Sequence, residues 1–329
     1  MAVVVFGSIN LDLILRVPSL PRPGETILGQ SLNMQPGGKG ANQALAAQRS
    51  GRSSVRMVGC VGTDAFAESA LALLTEAGVE LGAVRRVSGS TGLATVAVAP
   101  DGQNQIVVAP GANMALAADD VPDAWLDSDT VLLLQMETDP AANLAVAARA
   151  AGRGARIILN VAPAAAVPPA MLDLVDALVV NEEEALAVAT ACGLPAGTPV
   201  MAARYLAADR KAAVIVTMGA AGSIAFQGSN GWLVPTLNLR PESVVDTTGA
   251  GDAFVGVLAA AVDGGLSFDA AIAAASVGGA VACLRPGAQP SMPQAEEIAA
   301  GLPHLARIEH VDYGQDDAYG HDPRAAEGA

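Results

Sequence analysis

The chain has 329 residues, 52% of them hydrophobic but only 3% aromatic, and a formal net charge of -15. That length suits one large α/β domain with an insertion, or two domains, with a core built mainly from Ala, Val and Leu. The acidic balance, with no local basic patch, excludes a nucleic-acid backbone or an anionic membrane as partner.

Met1 to Gly7 carries no basic leader and runs straight into a strand, Val3 to Phe6, so it is not a signal peptide. Ser8-Ile9-Asn10-Leu11-Asp12 follows at the carboxyl end of that strand, where parallel sheets place their ligands. Asn10 and Asp12 are two apart and point the same way in extended backbone. They either bind sugar hydroxyls or close the strand as an Asx turn. Pro18 to Gln35 is a small β excursion. Pro36-Gly37-Gly38-Lys39-Gly40-Ala41-Asn42-Gln43 then leads into a helix predicted over Ala44 to Gln48. Lys39, one of two lysines, lies in a glycine frame suited to a polar ligand, or in a plain tight turn. The frame fits neither a P-loop nor a dinucleotide fingerprint, because Asn33 and Gly40 stand where the P-loop needs Gly and Ser or Thr.

A strand over Val55 to Val61 and a helix over Ala65 to Ala77 come next. Thr91 to Ala99 and Gln105 to Ala109 form a hairpin with an Asp101-Gly102 turn, ending at Pro110-Gly111-Ala112-Asn113. From Val131 the rhythm is strand then helix. Strands are expected at Val131 to Gln135, Ile157 to Asn160, Leu174 to Val180 and Val214 to Thr217. Helices are expected at Pro140 to Ala151, from Ala185, and at Met201 to Ala208. A further hairpin pairs Ser223 to Phe226 with Trp232 to Val234. This alternation predicts a doubly wound, mostly parallel sheet with helices on both faces. Asn181 and Glu184 fit a capping box, and also a carboxylate and amide ordering water around Mg²⁺ on a nucleotide; the two are compatible.

A short β-like run, Ser243 to Val245, precedes Asp246-Thr247-Thr248-Gly249-Ala250-Gly251-Asp252, which opens an Ala-rich helix over about 253–262. Bare amides at that helix start suit an anion, and Asp252 in the first turn suits a general base. Taken alone, the stretch reads first as a capped helix. A second Ala-rich helix covers about 268–284, followed by a rigid loop from Arg285 to Ser291. No uncharged stretch is long and unbroken enough for a transmembrane helix. Cys60, Cys192 and Cys283 are too scattered for a disulfide framework or zinc site and read as small buried hydrophobes of a reducing cytoplasm. His304, His310 and His321 lie apart from every other cluster, against a His-based triad. The acidic tail from about 310 to 329 is expected to be disordered.

Together, Gly7 to Asp12, Gly37 to Ala44, Asp246 to Phe254 and Gly287 to Ser291 resemble the ribokinase family of sugar kinases, in this order and spacing, from about Val3 to Pro293. Pro36 before the Gly-Gly-Lys and Val161-Ala162-Pro163 depart from the family pattern without touching a chemical group. The resemblance implies one α/β kinase domain over 1–309 with a small β lid from about 13–35 and 90–112, and a homodimer through that lid. It implies transfer of the γ-phosphoryl group of ATP to the 5-hydroxyl of ribose. Asn10, Asp12, Gly38, Lys39, Gly40, Ala41, Asn42 and Glu137 fall at sugar positions, and Asp252 at the catalytic base. The amides of Gly249, Ala250, Gly251 and Asp252 fall at an anion hole. Asn181, Thr217, Gly219, Ala220, Gly222, Gly251 and Ser276 fall at nucleotide positions, with Glu184 linked to Mg²⁺. An activating K⁺ would be held by Asp246, Thr248, Ala282, Arg285, Gly287 and Ser291, mostly through carbonyl oxygens. Asn10 favours ribose over 2-deoxyribose. The alternatives are a same-fold kinase for 2-deoxyribose, a fructose-type sugar or a nucleoside, and a non-catalytic sugar-binding regulator.

Overall fold

The structure is a computed structural model that describes residues 2–51 and 54–312. Strand β1 (Ala2–Phe6) is followed by β2 (Asn10–Arg16), β3 (Ser31–Gly37), helix α1 (Lys39–Arg49), β4 (Ser54–Val61), α2 (Phe66–Glu76) and β5 (Glu80–Arg86). The hairpin β6 (Gly92–Val98) and β7 (Asn104–Ala109) comes next. The alternating middle runs β8 (Thr130–Leu134), α3 (Pro140–Ala151), β9 (Arg156–Asn160), the one-turn α4 (Pro169–Leu172), β10 (Ala177–Asn181), α5 (Glu182–Ala191), α6 (Pro199–Asp209) and β11 (Ala213–Thr217). The last part holds β12 (Ser223–Gln227), β13 (Asn230–Val234), α7 (Ala250–Asp263), α8 (Phe268–Ala282), α9 (Ala295–Gly301) and β14 (Glu309–Asp312).

Among the described residues a ten-stranded sheet has the order β14-β13-β12-β11-β10-β9-β8-β1-β4-β5. From β5 to β11 all neighbours are parallel, and β12, β13 and β14 add an antiparallel edge. Strand periodicity divides the core in two. Val3 and Val5 pack on one face with α1, α2, α7 and α8, while Val4 and Phe6 pack on the other with α3, α5 and α6. A separate four-stranded sheet, ordered β3-β2-β6-β7, is the expected lid. Its strands begin at Asn10 rather than 13 and end at Gly37 rather than 35, so Asn10 and Asp12 themselves lie in the small sheet. No helix among the described residues is long and apolar enough to cross a membrane.

The structure corrects several expectations. Helix α1 starts at Lys39, five residues before Ala44, because Gly38 (φ 90) turns the chain sharply out of β3. A Cβ there would sit 2.7 Å from the Asn10 backbone nitrogen, so the glycine frame is a close approach between α1 and β2. β5 was not expected, since only Leu81, Ala83 and Val84 carry its apolar pattern between charged ends. Ser243 to Val245 is not a strand, because the Val245 and Asp246 amides both donate to the Cys283 carbonyl and hold the segment against the end of α8. The first residues of the expected tail, 310–312, pair with β13 as part of β14; the His310 ring packs edge-on to Trp232. The rest of that tail lies outside the described residues, as does His321. Cys60 is buried, but Cys192 and Cys283 are only partly so, because each caps a helix end.

Candidate active site

Helices α1 and α7 cross at Gly256, where a Cβ would lie 2.4 Å from the Gln43 carbonyl oxygen. That contact brings the α1 amides onto the first turn of α7. Asn42 Nδ2 donates to Asp252 Oδ2 (2.8 Å) and Gln43 Nε2 donates to Asp252 Oδ1 (2.9 Å). Gln43 Nε2 also donates to Asn160 Oδ1 (3.0 Å), while Gln43 Oε1 accepts from Gln135 Nε2 (2.8 Å). Gln43, Gln135 and Asn160 were not singled out from the sequence. Gln43 stands beside Asn42 in the glycine motif, but adjacent helix positions do not normally serve one partner.

At the lid end, Asn10 Oδ1 accepts from Asn113 Nδ2 (2.7 Å), and Asn113 Oδ1 accepts from the Ile9 amide (2.9 Å). Asn113 therefore fixes the Asn10 amide with its Nδ2 left to donate elsewhere. Glu137 Oε2 accepts from Ser8 Oγ (2.5 Å) and from the Lys39 amide (3.0 Å), and Ser8 Oγ accepts from the Gly40 amide (3.2 Å). Ala41 is buried in the core, with its amide on the Ser8 carbonyl. The electrostatics follow from crowding carboxylates in a partly dry site. Burial, then Glu137 and Asp252, push the Asp12 carboxyl up to about 7. Asp252 holds the Lys39 ammonium above its ordinary value against burial, with Glu137 and Glu184 helping.

Two cavities meet at this point. A cavity of about 170 Å³ is lined by Lys39, Asn160, Asn181, Glu184 and Asp252 among others. A cleft of about 780 Å³ is lined by Gly219, Ala220, Gly222 and Ser276 among others. Thr217 and Gly251 line both. Asn181 and Glu184 do form the capping box, each bond 2.8 Å, and burial raises the Glu184 carboxyl against that bond and Lys39. Ser276 Oγ donates to the Pro235 carbonyl (2.7 Å) in the cleft wall.

Gly249 (φ 79) forms the N-cap of α7 in a left-handed conformation. The Ala250 amide donates to the Thr247 carbonyl (3.2 Å), which removes it from the expected anion hole. The Gly251 and Asp252 amides belong to the first turn, where the helix supplies no carbonyl ahead of them. A Cβ on Gly251 would meet nothing within 4 Å, so space opens directly above that turn.

Behind the turn, Asp246 Oδ1 accepts from the Thr248 amide and Oδ2 from the Gly287 amide, both 2.9 Å. Burial opposes the Asp246 charge, yet these bonds, with Arg16 nearby, hold its carboxyl below the usual range. The other predicted cation residues are less simply arranged. Arg285 turns its guanidinium to Glu297 and donates to the Ser291 carbonyl (3.1 Å), and the Ala282 carbonyl accepts from the Arg285 amide (3.4 Å). No group of three or more His, Cys, Asp or Glu side chains among the described residues is placed to hold a metal ion.

Residues 2–295 match the model of the pfkB family of carbohydrate kinases. The chain is 35% identical to the ribokinase of Lactococcus lactis over 305 residues, covering 92% of this chain and 97% of that one. Its fold is similar to the crystal structure of Thermotoga maritima ribokinase, with TM-score 0.84, 33% identity and coverage of 92% and 99%. It is also similar to Arabidopsis thaliana ribokinase complexed with ribose and ATP, with TM-score 0.79, 31% identity and coverage of 92% and 98%.

Proposed function

The chain belongs to the pfkB family of carbohydrate kinases, and from that premise we propose that it transfers the γ-phosphoryl group of ATP to the 5-hydroxyl of D-ribose, giving ribose 5-phosphate. The observation that carries this reading is the place of Asp252. It lies on the first turn of α7, beside Lys39, in the small cavity that shares Thr217 and Gly251 with the larger cleft.

In this mechanism Asn10, Asp12, Lys39, Asn42 and Glu137 hold the sugar and aim one hydroxyl at the γ-phosphorus, and such positioning accounts for roughly several kcal/mol of barrier. Asp252 takes the hydroxyl proton as the new P–O bond forms and the bond to the β,γ-bridging oxygen of ATP breaks. The Gly251 and Asp252 amides and the α7 dipole stabilise charge on the phosphoryl group in flight. The adenosine end occupies the larger cleft. Mg²⁺, brought with ATP, neutralises phosphate charge when bound, and the buried Glu184 fits an outer carboxylate that orders its water. The lid excludes water that would otherwise hydrolyse ATP.

At the corner that the resemblance assigns to K⁺, the Asp246 carboxylate is a hard oxygen donor of the kind that suits this ion. Transfer rate is therefore expected to fall in Na⁺-only or Tris buffer and recover with K⁺; an unchanged rate counts against the site. Leu13, Met34, Thr95 and Val107 form one cross-strand row of the lid, and Val107 is 67% exposed. That row supports a homodimer through the lid, and the free cysteines fit a cytoplasmic protein. The deciding assay is coupled ADP release across ribose, 2-deoxyribose, fructose-type sugars and nucleosides. Ribose is expected to be the best acceptor, and a nucleoside turned over well while ribose is poor would overturn the choice.

A further inference from the structure

Asn42 and Gln43 both donate to Asp252, but their remaining atoms differ. Asn42 Oδ1 is buried without a hydrogen-bond partner, so this side chain can swing away from Asp252 without losing an acceptor contact. Gln43 cannot. It is 0% exposed and lines neither cavity. A flip would set its Oε1 against two acceptors, Asp252 Oδ1 and Asn160 Oδ1, and its Nε2 against the Gln135 Nε2 donor. Asn160 is itself fixed, since its Nδ2 donates to the Val179 carbonyl (3.1 Å). Gln135 thus donates to Gln43 and Gln43 to the carboxylate, in one direction.

We propose that Gln43 is a positioning residue for the base: it anchors Asp252 Oδ1 from behind, so that Oδ2, released when Asn42 turns to the sugar, is the oxygen that takes the hydroxyl proton. The inference rests on the kinase reading above and deepens it. Gln135 sets the direction of the Gln43 amide and touches neither the base nor the cavities. The charged groups that act on Asp252 from the surrounding elements are Asp12 on β2, Lys39 on α1 and Glu184 on α5. None replaces a neutral donor at Oδ1.

The test uses the full-length enzyme carrying Gln43→Leu, Gln43→Glu or Gln135→Leu, with kcat, sugar KM, pH profile and thermal melting measured for each. Gln43→Leu is expected to lower kcat about 10- to 100-fold, the cost of a base that wanders by about 1 Å, with sugar KM within about threefold. Gln135→Leu is expected to lower kcat by less, roughly three- to tenfold, at unchanged KM. Gln43→Glu keeps the shape but faces Oδ1 with a second carboxylate. Its acid limb in kcat is expected to move to higher pH. Parental kcat in Gln43→Leu, or a raised KM with kcat preserved, overturns the proposal. If Gln43→Leu does not fold, the near-isosteric Gln43→Glu decides it by the position of its acid limb. If the parent turns over another sugar instead of ribose, the ribose reading falls, and the same profiles on that sugar still decide the role of Gln43.

Discussion

The two cavities that meet at Thr217 and Gly251 are built on opposite plans. The small one carries charged and amide side chains tied to other residues: Asp252 to Asn42 and Gln43, Asn160 to Gln43 and the Val179 carbonyl, Asn181 and Glu184 to each other. The large one is walled mainly by Gly, Ala, Pro, Val and Leu, with backbone shape in place of side-chain handles. On the first side the identity of an atom decides the chemistry; on the second the contour of the chain does. Substitutions should therefore act very unequally across the junction.

The largest effect is expected at the base. Asp252→Asn should lower kcat by about 10²- to 10⁴-fold, as loss of a general base does, with sugar KM little changed in the ADP-release assay. The fold should persist, because the Asn42 amide can turn its unpartnered Oδ1 to the new Nδ2. A variant within tenfold of the parent would break the contrast between the two cavities.

Asp12→Asn comes next. Losing charge-assisted hydrogen bonds to the sugar should raise sugar KM about 10- to 100-fold. The same change should raise the melting temperature at pH 8. The folded-state value near 7 lies above the ordinary 3.8, so the folded protein binds this proton more tightly than the unfolded chain. The parent is then destabilised progressively as pH rises from about 4 through 7. Calorimetry of parent and variant between pH 5 and pH 8 checks the sign, and a variant that melts below the parent at pH 8 contradicts it. The smallest effect is expected across the junction. Ser276→Ala removes one neutral hydrogen bond to Pro235, worth about 1 kcal/mol, and should move the KM for ATP by no more than about fivefold. A loss of kcat at this position would show that the cleft also works through side chains.

The same asymmetry governs what could be read in advance. The parallel sheet, the lid hairpin and the first turn of α7 follow from local periodicity and turn chemistry, and they fall where expected. Asn10, Asp12, Lys39 and Asp252 stand out because polar groups in a glycine frame are locally odd. Gln43, Gln135, Asn160 and Asn113 do not, since their roles exist only where distant segments meet: Gln43 and Asp252 are 209 residues apart. The start of α1 was missed because Gly38 and Gly40 read as loop residues, although Gly38 serves a close approach to Asn10 and Gly40 one to Gly7 and Ser8. That the Ala250 amide donates to the Thr247 carbonyl depends on the path of Thr247, which composition does not reveal.

The crossing at Gly256 has a consequence for how such an enzyme can diversify. With backbone pressed against backbone there, α1 and α7 form one die, and no side-chain exchange on either helix can widen it without separating the base from its amides. A lineage that changes its preferred sugar would leave that die alone and recut the lid strands, where the proposed sugar contacts Asn10 and Asp12 lie. Directed evolution toward a new sugar should accordingly collect its gains in residues 10–16, 31–37 and 92–113, and its losses in 39–49 and 249–263.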